Sequence, residues 1–458
     1  MKRNIFFCFL CIFSLLNLLN GIAWAELQFK CGSSFRLRHE YWKNWKDMDN
    51  DQKDNRNFFR VKSSLWGQWD YDKSLSLYAK LTNEFKAYTY FAGTSSSVPD
   101  KTAKKKGYHF DINEVVFDNL YVDVYNFLDL PVNLRIGRQD LNNYGESFLF
   151  GDGTPGDGSR TYYFNAAKAT WNINNNNALD VIYIDDPRDE EFLPIINRTK
   201  LVNASNPTQD KVPQQLNTTD EQAYVLYLKN KSIKDLAPEF YYVFKKEAQE
   251  GGVGLQSKET KLNTLGSFIK YNFSPWAIRT QFAYQFGKYG ENDRVGIGGY
   301  GFLDREFKNL AWSPLANIGY IYLSGDDRNT NKNEAWDPLF SRYPWISELY
   351  NLSMAAETSI TGYWTNLQAI RSSLILKPTG KAKVSIWYNF LMADKDVAPS
   401  ALFSGTGKNR GHLCQARIDY AFNKNISTYF LAEYLVPGNF YKDRDEALFL
   451  RTEFHLKF

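Results

Sequence analysis

Apolar and charged side chains alternate with a period of two in stretch after stretch of this chain, and that pattern narrows the folds open to it. The final stretch shows it most plainly. Leu448, Leu450, Thr452, Phe454, Leu456 and Phe458 fall on one face of an extended strand, and Phe449, Arg451, Glu453, His455 and Lys457 on the other. A soluble sheet turns such an apolar face to a protein core. A transmembrane barrel turns it to lipid and keeps the charges for an aqueous lumen. Taken alone, this strand fits both.

Other stretches and the connections between them decide. From Trp276 to Phe286, the residues Trp276, Ile278, Phe282, Tyr284 and Phe286 share a face opposite Arg279, Gln281 and Gln285. From His412 to Phe422, Cys414, Ala416, Ile418, Tyr420 and Phe422 oppose Gln415, Arg417 and Asp419. Val61 and Leu65 oppose Arg60, Lys62, Ser64 and Gln68, and Leu75, Leu77, Ala79, Leu81 and Phe85 oppose Lys80, Thr82, Glu84 and Lys86. A charge on the lipid face costs about 2–4 kcal/mol at mid-membrane, so a membrane barrel has an energetic reason for this segregation. The strand-like runs are 33–42, 57–70, 73–90, 112–126, 131–139, 162–173, 178–185, 222–229, 238–247, 262–273, 275–287, 299–311, 314–325, 363–376, 381–393, 411–422, 425–437 and 445–458. Connections between them read as strictly alternating, short then long, with long ones at 43–56, 91–111, 140–161, 186–221, 248–261, 288–298, 326–362, 394–410 and 438–444. The expectation is an all-β protein: an 18-stranded antiparallel transmembrane β-barrel with short periplasmic turns and long outer loops. Closure satisfies the edges that lipid cannot.

Residues 1–25 read as a signal peptide. Lys2 and Arg3 precede an apolar run, and Ala23-Trp24-Ala25 forms a cleavage site before Glu26. No later run is long and apolar enough for a membrane helix. Residues 26–458 then form one barrel unit, placed in the bacterial outer membrane. Aromatic residues make up 17% of the chain, as girdles at both membrane interfaces require. The net charge of +4 gives no footprint for nucleic acid. Cys31 and Cys414, the cysteines outside the signal segment, are expected at opposite ends of the barrel and unbridged.

Chemistry is expected in the lumen. Arg36, Arg38, Arg60, Lys62, Lys80, Lys86, Arg135, Arg279, Arg371, Arg417, Arg451 and Lys457 all read as inward-facing, interleaved with Glu84, Asp123, Asp419, Glu433 and Glu453. Such a set either locks the wall with ion pairs or forms a cationic path for an anionic solute, since guanidinium forks bind carboxylates bidentately. The basic run Lys101 to Lys106 is either a solvated loop or an extension of that path. Two G-x-G-x-x-G stretches, at 151–156 and 296–301, lack the strand–helix context of a dinucleotide site. Asp326, Asp327, Asn329, Asn331, Asn333 and Glu334 are calcium-like but lack the glycine and final glutamate of an EF-hand. No cofactor site is evident. None of the four histidines has a nucleophile beside it, so no catalytic residue is assigned and the chain is not expected to be an enzyme.

The stretch Leu134-Arg135-Ile136-Gly137-Arg138-Gln139-Asp140-Leu141-Asn142-Asn143-Tyr144-Gly145, continued by Gly158-Ser159-Arg160-Thr161, resembles the alginate-export porin family. So do Tyr320-Ile321-Tyr322-Leu323-Ser324-Gly325-Asp326-Asp327 and Tyr434-Leu435-Val436-Pro437-Gly438-Asn439-Phe440-Tyr441. The resemblance covers nearly the whole mature chain. It implies an outer-membrane barrel that passes a polyuronate out of the periplasm through an Arg/Lys-lined constriction. Arg135 and Arg138 lie in the matching strand but on opposite faces if it stays regular. Arg138 then reaches the lumen only through a bulge or from above the membrane band. One departure concerns the plug: the alginate-secreting type carries a long periplasmic loop before its penultimate strand, whereas here that turn is about Asn423 to Asn425. Export of an alginate-like polysaccharide is therefore one expectation, and a diffusion porin for small anionic solutes the other. A structural or adhesive barrel is a third, if the loops 186–221 and 326–362 seal the lumen. Expected partners are an anionic polysaccharide or small anions, outer-membrane lipid, and the barrel-assembly machinery. The last is expected to read the C-terminal strand ending at Phe458.

Overall fold

Every run with period-two patterning becomes a strand. In the computed structural model of the protein these are β1 (Gln28–Lys43), β2 (Arg56–Tyr71), β3 (Leu75–Phe91), β4 (Val116–Val124), β5 (Val132–Gln139), β6 (Phe164–Asn174), β7 (Asn177–Asp186), β8 (Glu221–Asn230), β9 (Leu236–Glu247), β10 (Thr260–Phe273), β11 (Trp276–Tyr289), β12 (Asn292–Glu306), β13 (Leu315–Leu323), β14 (Leu367–Leu376), β15 (Ala382–Met392), β16 (Asn409–Ala421), β17 (Ile426–Pro437) and β18 (Ala447–Lys457). The structure describes residues 27–51, 54–91, 115–142, 144–151, 163–194, 196, 219–249 and 258–458, without the side chains of 86–91. The signal segment, the basic run 101–106, Gly158 to Thr161, and most of the motif 151–156 and of the connection 186–221 lie outside the described residues.

Each strand pairs antiparallel with its sequence neighbours, and β1 also pairs with β18, so the 18-stranded sheet closes on itself. The last residue belongs to that seam: the Phe458 N–H donates to Ser33 O at 2.8 Å, and the Ser33 N–H donates to Phe458 O at 2.9 Å. With no open edge, no ladder group is left for lipid to satisfy. The outward face is apolar. Leu65, Ile136, Phe282, Ile318 and Ile418 are all more than half exposed, and a continuous belt of such residues belongs against hydrocarbon rather than water. No helix of the described residues is long and apolar enough to cross a membrane.

The strict short–long rhythm fails at one place. The expected long connection 288–298 is the two-residue turn Gly290–Glu291, because β12 starts at Asn292. The inner connection between β12 and β13, by contrast, occupies 307–314. Gly296 and Gly298 read as loop in the sequence, with the strand expected only from 299, yet both lie inside β12. Gly298 shows why: a Cβ there would meet the Trp336 ring at 2.5 Å. The bare backbone admits an indole that comes from a loop.

That loop fills much of the interior. The connection between β13 and β14 (324–366) folds inward and buries Trp336, Leu339, Phe340, Leu349, Tyr350 and Trp364. A second inward loop, after β5, brings Phe148 and Phe150 against it. Phe148 stacks on Trp336 with centroids 5.2 Å apart, and Phe150 on Phe340 at 5.7 Å. The Phe340 N–H donates to Leu149 O, and the Gly151 N–H to Phe340 O, so the two loops share a short parallel bridge. Each buried aromatic of this cluster contributes about 2–3 kcal/mol relative to exposure. The barrel is thus a shell around two loops, with a polar inner wall facing them.

Candidate substrate pathway in the lumen

Strand parity places the expected cations on the inner wall, where they divide into two sectors. The first spans β18, β1, β2, β3 and β4. Across the seam, Arg38 faces Glu453 and Glu40 faces Arg451. One strand on, Arg36 faces Lys62 and Arg38 faces Arg60, which are like-charge pairs that repel. Carboxylates from neighbouring strands compensate them. Glu84 accepts from Arg60 Nε at 2.9 Å and from Arg36 Nη2 at 3.2 Å, with Lys62 Nζ 4.0 Å away. Glu40 takes Arg60 Nη1 at 3.3 Å and Arg451 Nη2 at 2.9 Å, and Arg38 donates to Glu453. Lys80 pairs with Asp118 at 2.7 Å, a carboxylate that sequence parity did not single out because β4 is bulged opposite Lys80 and Leu81. Arg38 and Arg451 are each 1% exposed. These charges hold one another and leave little for a solute.

Three arginines on the other side differ. Arg279 on β11 donates to Asp304 Oδ2 at 2.6 Å and to Glu146 Oε2, on the inward loop after β5, at 2.7 Å. Its side chain keeps 24% of its exposure. Arg417 on β16 donates to Asp419 at 2.9 and 2.6 Å, stacks its guanidinium 3.8 Å from the Tyr429 ring centroid, and is 34% exposed. Lys383 approaches the other Asp419 oxygen at 3.5 Å. Arg371 on β14 lies opposite Gly319 and Asn389 in register. It is half-buried and has no hydrogen bond or ion pair with any described residue. Glu433, Tyr343 and Arg279 are its electrostatic neighbours. Glu433 is committed elsewhere, for it accepts from Ser347 Oγ at 2.6 Å, Leu349 N at 2.8 Å and Gln415 Nε2 at 2.7 Å. It thereby caps the short helix α1 (Glu348–Ser353) of the inward loop from the barrel wall.

The remaining candidates fall between these sectors. Arg135 makes a bidentate pair with Asp123 at 2.7 and 2.8 Å and lies over the Tyr121 ring. Arg138 does not join it. β5 keeps its register with no bulge there, and Arg138 sits at the long-connection end, donating to Asn165, Phe117 O and Glu190. Lys457 is exposed at the rim. The carboxylates of loop 326–334 are engaged locally: Asp327 pairs with Lys395 at 3.1 Å, and Glu334 accepts from Thr330. Cys31 and Cys414 are free.

Some inward residues escaped the sequence reading. Lys168 on β6 shares a face with Phe164 and Ala166, lies opposite Arg135, and makes no ion pair with any described residue. Its parity was legible once Phe164 was taken as inward. Lys245 on β9 is 1% exposed and donates to Glu221, Glu247 and Leu339 O of the long inward loop. There, aromatic residues on both faces of the strand (Phe240, Tyr241, Tyr242, Phe244) hid the parity.

Comparison with known proteins agrees with this geometry. The sequence pattern of the alginate-export family matches residues 28–451. Among solved structures, Pseudomonas aeruginosa OpdQ is similar at 11% identity and a TM-score of 0.56, covering 94% of this chain and 99% of its own. Acinetobacter baumannii OccAB4 gives 13% identity, a TM-score of 0.55 and coverage of 94% and 98%. Pseudomonas aeruginosa OccK2 (OpdF), solved in complex with glucuronate, gives 8% identity, a TM-score of 0.54 and the same coverage of 94% and 98%. No curated protein matches. Matched from its first strand into its last and closed into a ring around a charged lumen, the chain belongs to the alginate-export family and is an outer-membrane porin-like channel.

Proposed function

We propose that this channel passes anionic saccharides, with an alginate-like polyuronate leaving the cell as the main traffic. The observation that carries this reading is Arg371, a half-buried inner-wall guanidinium with no carboxylate in contact among the described residues, near Arg279. Arginine presents a planar fork that matches a carboxylate, and in a pathway it binds without a proton being moved. Arg279 and Arg417 already hold Asp304 and Asp419, so a passing uronate exchanges with those partners rather than meeting a bare charge. Such graded binding, strong enough to enter and weak enough to leave, is what conduction needs. The solute moves passively down its gradient. In this reading residues 1–25 direct secretion, the outward belt meets outer-membrane lipid, and the assembly machinery engages the strand ending at Phe458.

A second reading, a diffusion porin for small anionic solutes, is favoured by the short turn at 422–425 between β16 and β17, where no polymer plug is built. The glucuronate bound to OccK2 supports a uronate in either case. Single-channel recording in a planar bilayer under a salt gradient, with oligomannuronate added to either side, tests the choice. Anion-selective current blocked by the oligomer supports the polyuronate pathway. Current indifferent to it leaves the small-anion porin, and no current at all points to a sealed barrel.

A further inference from the structure

The short-turn half of the lumen carries a second feature, built from aromatic residues rather than from charge. Trp66 on β2, Tyr78 on β3 and Tyr121 on β4 all project inward from three adjacent strands. Tyr78 and Tyr121 are directly opposed in register, and Trp66 stands on the diagonal, since its direct partner is Lys80. The rings are nearly parallel. Trp66 and Tyr78 have centroids 6.0 Å apart and planes 22° apart, and Tyr78 and Tyr121 have centroids 5.1 Å apart and planes 19° apart. Mutual stacking fixes their directions. At one end the indole lies across Gly32, where a Cβ would meet it at 2.7 Å. At the other end the Arg135 guanidinium sits 4.0 Å from the Tyr121 centroid and is itself held by Asp123.

The polar ends of this row are unused. Trp66 Nε1, Tyr78 OH and Tyr121 OH make no hydrogen bond with any described residue, although all three side chains are half-buried. None of the three is a sealed polar atom, so all are open to the lumen, whereas fully buried tyrosines normally find a protein partner for the hydroxyl. Elsewhere on the inner wall they do: Tyr227 donates to Glu239, Tyr144 to Asp180 at 2.9 Å, and Tyr300 to Glu146 at 3.2 Å. Three rigid polar groups spaced across neighbouring strands, with Lys168, unpaired among the described residues, one strand beyond Arg135, form a comb. Water serves such a comb when the channel is empty, and a chain of sugar hydroxyls replaces it at little cost.

We propose that Trp66, Tyr78 and Tyr121 form a saccharide-binding subsite that reads the hydroxyls of a pyranose chain, with Arg135 and Lys168 beside it for the carboxylate. The inference rests on the saccharide reading above and deepens it: one wall recognises charge, this one recognises sugar. A small carboxylate without hydroxyls uses only the first.

The double variant Y78F/Y121F tests it, because it removes two hydroxyls and keeps both rings and their stacking. In single-channel recordings with oligomannuronate, the residence time of each blocking event is expected to fall about tenfold, the combined effect of two hydrogen bonds. The reversal potential in a salt gradient is expected to stay at the wild-type value. Unchanged residence, or a loss of ion selectivity alongside, overturns the subsite while wild-type block leaves the saccharide reading standing. Wild-type current that oligomannuronate does not block overturns both.

Discussion

Two walls of one lumen carry the same residue types and use them in opposite ways. On β18, β1, β2 and β3, arginines and lysines face one another across the ladder, and Glu40, Glu84 and Glu453 bind them into a buried network. On β11, β14 and β16, Arg279, Arg371 and Arg417 are more exposed; Arg417 holds a single carboxylate, and Arg371 has no partner among the described residues. Inward charge alone therefore does not mark a pathway. The first wall spends its cations on closing the barrel, and the second leaves attraction over for a solute. The difference lies in carboxylate supply, which is set by cross-strand register and by where the loops fold.

The strongest way to break the comparison is to starve the closed wall. Glu84→Gln leaves Arg36, Arg60 and Lys62 as buried like charges around a neutral amide, and loss of one member of such a network costs about 3–5 kcal/mol. The temperature at which the barrel unfolds in detergent is expected to drop sharply, with little change in the ion selectivity of the molecules that remain folded. Glu433→Ala comes next. It removes the acceptor for Ser347 Oγ and Leu349 N, so the long inward loop loses its anchor on β17, at about 1–3 kcal/mol. Larger and noisier single-channel conductance is the expected reading, and a quiet channel of wild-type conductance would show that the other contacts of the loop suffice.

A smaller effect sharpens the open wall. Arg279→Gln leaves Asp304 and Glu146 uncompensated. Relative cation permeability is expected to rise about fivefold, the equivalent of about 1 kcal/mol between close charges in water. The smallest effect lies outside the membrane, at Asp326. Burial, with Glu334 nearby, holds its carboxyl above the ordinary value of 3.8 in spite of the hydrogen bond from Glu334 N. Folding thus favours the protonated form. This contribution to stability is complete below the ordinary value and is lost as pH rises through the raised one. Asp326→Asn keeps the acceptor oxygen and is expected to flatten that part of the pH–stability curve, as thermal melts across the acid range would show.

Strand identity was legible because the membrane enforces parity: a slip by one residue puts Arg or Glu into lipid, so alternation is clean wherever charge and apolar residues share a strand. It failed where glycines replaced that signal. The sequence places the start of β12 too late, at 299, because Gly296 and Gly298 read as part of a turn, although Gly298 is bare to admit Trp336. The inward fold of 324–366 was foreshadowed by Trp336, Phe340, Trp345 and Leu349, an apolar text ill-suited to an outer loop, but not by any local pattern. The inward direction of Arg371 was legible from parity. Its lack of a partner was not, since that depends on Gly319 and Asn389 being its neighbours and on Glu433 being taken by a loop. Parity turns Arg138 away from the lumen, and its partner Glu190 lies 52 residues further along the chain, beyond any local signal.

The most direct measurement compares the two walls with one charge removed from each. Arg371→Gln and Lys62→Gln each delete a single inward cation, and Lys62 is the least tightly paired of the closed network, with Glu84 at 4.0 Å. Reversal potentials of the two variants in a salt gradient, read beside the wild type, separate a cation that serves solute from one that serves structure. The account predicts that Arg371→Gln shifts the potential toward cation selectivity and that Lys62→Gln leaves it in place. Equal shifts, or a shift in Lys62→Gln alone, would contradict it.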